Sequence, residues 1–367
     1  MACRSLAELE SHSTYRELGR EIRLVLETPE IGDFRRAAAP ACPRYRFVTW
    51  NIERGTHFDA QLEALKTHEY LREADVLLLI EADLGMARSG NRAVSREIAR
   101  ELGMEHAFAP CYLSLVKGSG IEYHMEGENE LGLHGNALLS RYPIRNVRRI
   151  SLANGTDKMS RREKRLGSQT AVAAEIDFPN LPLTAVSVHL DAQSTQAHRA
   201  AQMRQVLEAV GDAPRVVLGG DWNTSTYNSS SAFRAILGFW LRVMMRVNYV
   251  IPNHYLRPYT WFEKGLFTML EEAGFEYRLS NRIGERTTSY DITDPKATGN
   301  LGEWVPEWCF PFIRWSLRNH GGVCPFKLDW FATRGLRCEN PVVLHEFREG
   351  RQPPLSDHDP VGVDILA

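Results

Sequence analysis

The stretch Arg215-Val216-Val217-Leu218-Gly219-Gly220-Asp221-Trp222-Asn223-Thr224-Ser225 constrains this chain more than any other. Its first four residues read as a short strand with an apolar run, the pattern of a strand covered on both faces. Gly219 and Gly220 then allow a tight turn, and Asp221 and Asn223 follow two positions apart. Polar groups at a strand end cost little to desolvate and are held rigidly, which suits a functional site. An Asx turn, with both side chains bonding the local backbone, accounts for the same residues. On this stretch alone the two readings are balanced.

The same motif of an apolar run ending on a polar residue recurs along the chain. Tyr45-Arg46-Phe47-Val48-Thr49-Trp50 reads as a strand ending at Asn51 and Glu53, and Asp75 to Ile80 as one ending on Glu81. Leu183 to Val188 ends on His189, and Lys327 to Thr333 is a strand that carries Asp329. Helices are expected over about 58–72, 93–103 and 195–210 from apolar residues at helical spacing. Strands and helices mixed in this order favour a layered α/β sandwich over a regular doubly wound sheet. Residues 1–43 read as a helical N-terminal extension and 44–367 as the main domain. An aromatic-rich insertion at about 226–327 holds Trp240, Trp261, Trp304, Trp308 and Trp315.

Composition narrows the function. A net charge of −2 argues against an unselective binder of duplex nucleic acid, whose affinity comes from clustered phosphate contacts. The N-terminus, Met1-Ala2-Cys3-Arg4, lacks the apolar core of a signal peptide, and no run is long enough to span a membrane. Six scattered cysteines without a Cys-x-x-Cys pair point to free thiols and a cytoplasmic protein, with a Cys309–Cys324 bridge left open.

Asn51 with Glu53, Glu81, His189, Asp221 with Asn223, Asp329, and Asp357 with His358 form a set that strand ends on one side of a sandwich bring together. Carboxylate oxygens from Glu81 and Asp357 suit Mg²⁺ or Mn²⁺, whereas the scarcity of Cys and the dispersal of His disfavour catalytic zinc. Asp329 beside His358 would orient and charge the imidazole. Arg, His and Asn donors around a metal match the spread negative charge of a phosphoryl transition state.

These residues stand in an order that resembles the endonuclease/exonuclease/phosphatase superfamily, the deoxyribonuclease-I-like fold. The markers are Thr49-Trp50-Asn51-Ile52, Ile80-Glu81, Gly135-Asn136-Ala137-Leu138-Leu139-Ser140-Arg141 and Val188-His189-Leu190. Gly219-Gly220-Asp221-Trp222-Asn223, Leu328-Asp329-Trp330 and Ser356-Asp357-His358 complete the set. The resemblance implies a four-layered αββα sandwich of two mixed β-sheets flanked by helices. It also implies Glu81 as main metal ligand, with Asn51 and Asp357 beside it. By the same resemblance Asp221 would deprotonate the attacking water and Asn223 would hold the phosphate or the nucleophile. His358, polarised by Asp329, would bind or protonate the scissile phosphate, and His189 would donate to it. Arg165 matches the basic residue before the middle strand, with Arg161, Arg162 and Lys164 as neighbours. Glu53 and Asn136 would support the ligands from behind.

The expectation is therefore a Mg²⁺- or Mn²⁺-dependent phosphoesterase acting by in-line attack of water on a phosphodiester or phosphomonoester. The aromatic insertion suggests an apolar wall and a small-molecule or lipid-like substrate. A DNA or RNA nuclease is the alternative, although only 158–165 approaches a basic groove. A non-catalytic phosphate-binding module is a further alternative, against which every marker position keeps a chemically competent residue.

Overall fold

A computed structural model describes residues 3–224, 228, 231–294 and 307–367. Ser225, Trp304 and the rest of 295–306 lie outside the described residues. The chain opens with α1 (Leu6–Ser11) and α2 (Ser13–Glu27), then β1 (Glu30–Asp33) and β2 (Arg44–Arg54). There follow α3 (Phe58–Thr67), β3 (Val76–Leu84), α4 (Val94–Leu102), β4 (Glu105–Ser114) and β5 (Leu133–Ser140). Next come β6 (Ile144–Ser151), β7 (Arg165–Gly167), β8 (Thr170–Ile176), β9 (Leu183–His189), α5 (Gln196–Val210) and β10 (Val216–Asp221). The insertion contributes α6 (Ala232–Met244), α7 (Val247–Val250), α8 (Lys264–Glu272), β11 (Thr288–Asp291), α9 (Phe310–Leu317) and β12 (Val323–Phe326). The chain finishes with β13 (Asp329–Arg334), β14 (Arg337–Val343) and β15 (Val361–Leu366).

Two mixed sheets result. The first runs β1-β4-β5-β3-β2-β15-β14, with β7 on β4; the second runs β13-β10-β9-β8-β6. β2 pairs parallel with β3 and β9 parallel with β10, while their other neighbours are antiparallel. Side-chain alternation along each strand builds three apolar layers. Phe47, Val76, Leu78 and Leu138 of the first sheet meet Val172, Ala185, Val217 and Phe331 of the second. On the far face of the first sheet, Val48, Trp50, Leu77 and Leu79 pack against Leu65 of α3 and Ile98 of α4. On the far face of the second, Val186, Val216 and Leu218 pack against Met203 and Val206 of α5 and Phe267 of α8. The architecture is the expected αββα sandwich.

The segment ahead of residue 44 is helical over α1 and α2, but Glu30–Asp33 is a strand and 34–43 is irregular. β1 pairs with β4, Glu30 opposite Phe108, so this part of the expected helical extension belongs to the first sheet. All six cysteines are free thiols, Cys309 and Cys324 included. No helix among the described residues is long and apolar enough to cross a membrane.

Candidate active site

The second sheet sets three site residues abreast. Parallel pairing puts His189 of β9 opposite Asp221 of β10, and antiparallel pairing puts Asp329 of β13 on the other side of Asp221. Two glycines make this register possible. A Cβ at Gly219 would stand 2.6 Å from Leu78 Cδ1 of the first sheet, and one at Gly220 would collide with the Val188 carbonyl oxygen. Gly220 also takes φ +145°. Only glycine lets β10 approach both neighbours so closely.

The first sheet supplies the facing half through two irregularities side by side. β2 loses register between Asn51 and Arg54, with Glu53 and Arg54 at positive φ. β3 loses register against β5 between Leu79 and Ala82, with Glu81 at φ +57°. Such bulges re-aim side chains at a sheet end, and left-handed backbone at non-glycine residues is strain retained by its surroundings. Asn136 Oδ1 accepts from the Glu81 backbone N–H at 3.4 Å, which braces the bulge at Glu81.

Asp221 sits where the halves meet. Its Oδ1 accepts the Asn223 backbone N–H at 2.9 Å, so the Asx turn is present. Its Oδ2 is 3.3 Å from Asn51 Nδ2, 3.7 Å from His189 Nε2 and 3.8 Å from His358 Nε2. One carboxylate thus closes the turn with one oxygen and faces the site with the other. His358 Nδ1 lies 2.8 Å from Asp329 Oδ2, the expected dyad. Asp329, His358 and Asp221 are all buried and offer ligand atoms within 4.8 Å of one another. Asp329 Oδ2 is hydrogen-bonded to His358 Nδ1 and His358 Nε2 faces Asp221 Oδ2 at 3.8 Å, so the three stand in a line rather than a cage.

Electrostatics separate the roles. Burial opposes the imidazolium of His358, but Asp329 and then Asp221 outweigh it and hold its pKa well above the ordinary value. Burial pushes the Asp221 carboxyl up against the pull of His358, and the neighbouring Asp329 adds to the rise. Burial also disfavours charge on Glu81, yet Arg54, followed by His189, His134 and His358, holds that carboxyl far below the usual range.

Glu81 opens onto a polar cavity of about 350 Å³ whose wall includes His189, Arg54, Lys158, Arg161, Arg162 and Arg165. Arg165 is paired with Glu163, and its guanidinium stands 5.4 Å over the Tyr112 ring. Buried Arg88 bridges Asp83 bidentately at 2.7 and 2.9 Å and reaches Glu163 at 3.0 Å, which anchors this basic loop to β3. Lys158 is held by Asp191 at 2.8 Å.

Other expected residues stand differently. Asn223 Nδ2 donates to the Leu190 carbonyl at 3.0 Å, so this donor is turned to the backbone. Asn51 Oδ1 accepts the Glu53 N–H at 3.1 Å, which fixes the amide with its nitrogen toward Asp221. Asp357 is exposed, with Oδ1 3.4 Å from Ser356 Oγ. Arg54, Lys158 and Asp191 were not singled out in the sequence. Arg54 follows Asn51 and Glu53 in the first strand-end cluster, and that adjacency was the available signal. Thr287 and Thr288 were also missed. Thr287 Oγ1 accepts from the Asp329 N–H at 3.1 Å, and Thr288 Oγ1 donates to the Asp357 carbonyl at 2.5 Å. The insertion therefore holds Asp329 and the Asp357–His358 turn.

A family model for the endonuclease/exonuclease/phosphatase family matches residues 48–358, from β2 through His358. The chain belongs to this family. Members are hydrolases that act on phosphate esters, nucleases and phosphatases among them. An endonuclease/exonuclease/phosphatase from Beutenbergia cavernae is similar at 16% identity and TM-score 0.52, over 89% of this chain and 72% of that one. A 3′ phosphatase, NExo, from Neisseria bound to product DNA hairpin is similar at 14% identity and TM-score 0.51, over 88% of this chain and 100% of that one. A Leptotrichia buccalis family protein gives 11% identity and TM-score 0.51, over 88% and 100%. At these identities the likeness is one of fold. No curated protein sequence matches the chain.

The family is generally dependent on divalent metal, and the residues here fit such an ion. The Glu81 oxygens stand 3.8 Å from Arg54 Nε and 3.9 Å from His189 Nε2. Both distances exceed a hydrogen bond, so an ionised carboxylate keeps ligand directions toward the cavity.

Proposed function

We propose that this chain is a Mg²⁺- or Mn²⁺-dependent phosphoesterase whose substrate is a small-molecule or lipid-like phosphate ester. The carrying observation is the line Asp329–His358–Asp221 ending beside Glu81 and His189 at the mouth of an arginine-lined cavity. Glu81 is the residue best placed to hold the ion, with Asn51 and Asp357 as neighbours. When bound, the ion would supply Lewis-acid stabilisation of the phosphoryl oxygens and ease ionisation of the water.

The chain's own residues account for the proton movements. Asp221 Oδ2 accepts a proton from the attacking water, and Asn51 Nδ2 and His189 orient that oxygen. Protonated His358 donates from Nε2 to a phosphate oxygen, while Asp329 holds its Nδ1–H and stabilises the imidazolium. His189 donates to a second non-bridging oxygen. Asn223 fixes the turn that presents Asp221 through its backbone N–H.

A cavity of about 350 Å³ holds one polar headgroup or small anion more readily than a duplex, which needs a continuous basic groove. The second reading is a nuclease, and the arginines at 161, 162 and 165 favour it as ligands for a neighbouring backbone phosphate. A panel with Mg²⁺, Mn²⁺ or EDTA should include single- and double-stranded DNA, RNA, sphingomyelin, inositol phosphates and a generic phosphodiester. Metal-dependent release from the small or lipid esters is the expected result. Cleavage of nucleic acid alone would replace the first reading with the second.

A further inference from the structure

The helices α3, α4, α5 and α8 bury an apolar face against a sheet. α6 and α9 do not follow that rule, because each also turns large apolar residues to solvent. α6 turns Ala235, Ile236, Phe239 and Val243 toward an apolar cavity of about 310 Å³, shared with Ile313 and Leu317 of α9. On its other side Phe233, Leu237, Leu241 and Met244 form a stripe at helical spacing, exposed by 75%, 59%, 38% and 73%. Trp308, Phe312 and Trp315 are exposed as well, and the rings of Trp240 and Phe312, 5.1 Å apart, join the two helices. An exposed apolar face of this kind marks an interaction surface.

Charge selects the occupant. Residues 231–262 contain no Asp or Glu but carry Arg234, Arg242, Arg246 and Arg257. Residues 308–328 likewise contain no acid and carry Arg314 and Arg318. Arg234, Arg246, Arg314 and Arg318 are all exposed. A second copy docked on this face would set arginine against arginine, with no acid on either helix to pair. Nucleic acid would pair the arginines but leave the aromatic and aliphatic stripe in water. A lipid surface with anionic headgroups satisfies both, since the stripe enters the acyl boundary and the arginines reach the phosphates along their stems. Arg318 stands 4.8 Å over the Trp315 ring, an aromatic–cation pair of the kind that sits at headgroup depth.

We propose that the face built by α6 and α9 docks peripherally on a membrane surface rich in anionic phospholipid. The docking stands apart from the catalytic reading, because a protein held at such a surface need not cleave the lipid beneath it. With a lipid-like ester as substrate, it would bring the cavity to the surface where such esters lie.

Sedimentation of the full chain with vesicles tests the proposal. Vesicles of phosphatidylcholine alone are compared with vesicles that also contain phosphatidylserine, at low and high salt. Binding is expected to the anionic vesicles only, to weaken with salt, and to fall at least ~10-fold in the double variant Leu237→Glu, Met244→Glu. Absence of wild-type binding to anionic vesicles would overturn the proposal, as would undiminished binding by the double variant. So would a wild-type dimer in analytical ultracentrifugation that the double variant converts to monomer, since a second copy would then be the cover. Turnover of a soluble phosphoester is read on the same preparations. Its absence in wild type would count against the catalytic reading and leave the docking result standing.

Discussion

At the sheet ends Asp221 is fixed from three sides, by Asn223 through the turn, by Asn51 from the first sheet and by the two histidines. Shortly after it in the chain, α6 holds Phe233 and Met244 out to solvent with roughly three quarters of each exposed. The two regions obey opposite rules. In the first, His189, Asp221, Asp329 and His358 are polar side chains held buried; in the second, Phe233, Leu237, Leu241 and Met244 are apolar side chains held exposed. Buried polar groups persist when their partners are complete, and exposed apolar groups when they have a partner still to meet. Under the proposed reading, the family's chemistry belongs to the strand ends and this chain's particularity to the insertion. The division is not absolute, because Thr287 and Thr288 reach back from the insertion to hold Asp329 and the Asp357–His358 turn.

Substitutions should separate the two regions by size of effect. His358→Ala removes the charged donor and is expected to lower metal-dependent turnover by about 10³-fold in steady-state assays, with a normal circular-dichroism spectrum. Gly220→Ala would press a methyl group onto the Val188 carbonyl at a φ that disfavours side chains, and chemical denaturation should show a loss of about 2–3 kcal/mol. A fully stable Gly220→Ala protein would show that the register of β9, β10 and β13 is not rigid, and would weaken the contrast at its root.

Asp329→Asn tests the relay by pH. Asp329 raises the pKa of His358, so the protonated donor persists at low and neutral pH and is lost as pH rises through that raised value. With the carboxylate gone the pKa falls, and the alkaline limb of the kcat/KM profile should move to lower pH, with a loss of about 10-fold or more at neutral pH. An unmoved limb would assign that titration to another group. At the small end, the double variant Leu237→Glu, Met244→Glu should change thermal stability by less than about 0.5 kcal/mol and leave soluble-substrate turnover intact. A large change in either would mean that the α6 stripe belongs to the core.

Much of the site was legible in the sequence because its residues end apolar runs. His189 and Asp221 are the last residues of β9 and β10, Glu81 follows the apolar run that opens β3, and Asp329 opens β13. The two readings of Asp221 are compatible, since one carboxylate oxygen closes the turn and the other faces Asn51 and the two histidines. Other features carry no local signal. β1, Glu30-Ile31-Gly32-Asp33, has one large apolar residue and becomes a strand only because β4 offers it an edge. The paired bulges at Glu53 and Glu81 arise from how β2, β3 and β5 meet, not from the residues that form them. Lys158 with Asp191, and Arg88 with Asp83 and Glu163, join residues far apart in the chain, so only the folded sheets reveal that the basic loop is anchored.

The most direct test of the central claim is the turnover of Asp221→Ala on a soluble phosphodiester with Mg²⁺ or Mn²⁺, measured beside its melting curve. The account predicts a folded protein whose metal-dependent rate is lower by about 10³-fold or more, since the base that receives the water's proton is gone. Wild-type turnover in a folded Asp221→Ala protein would contradict it.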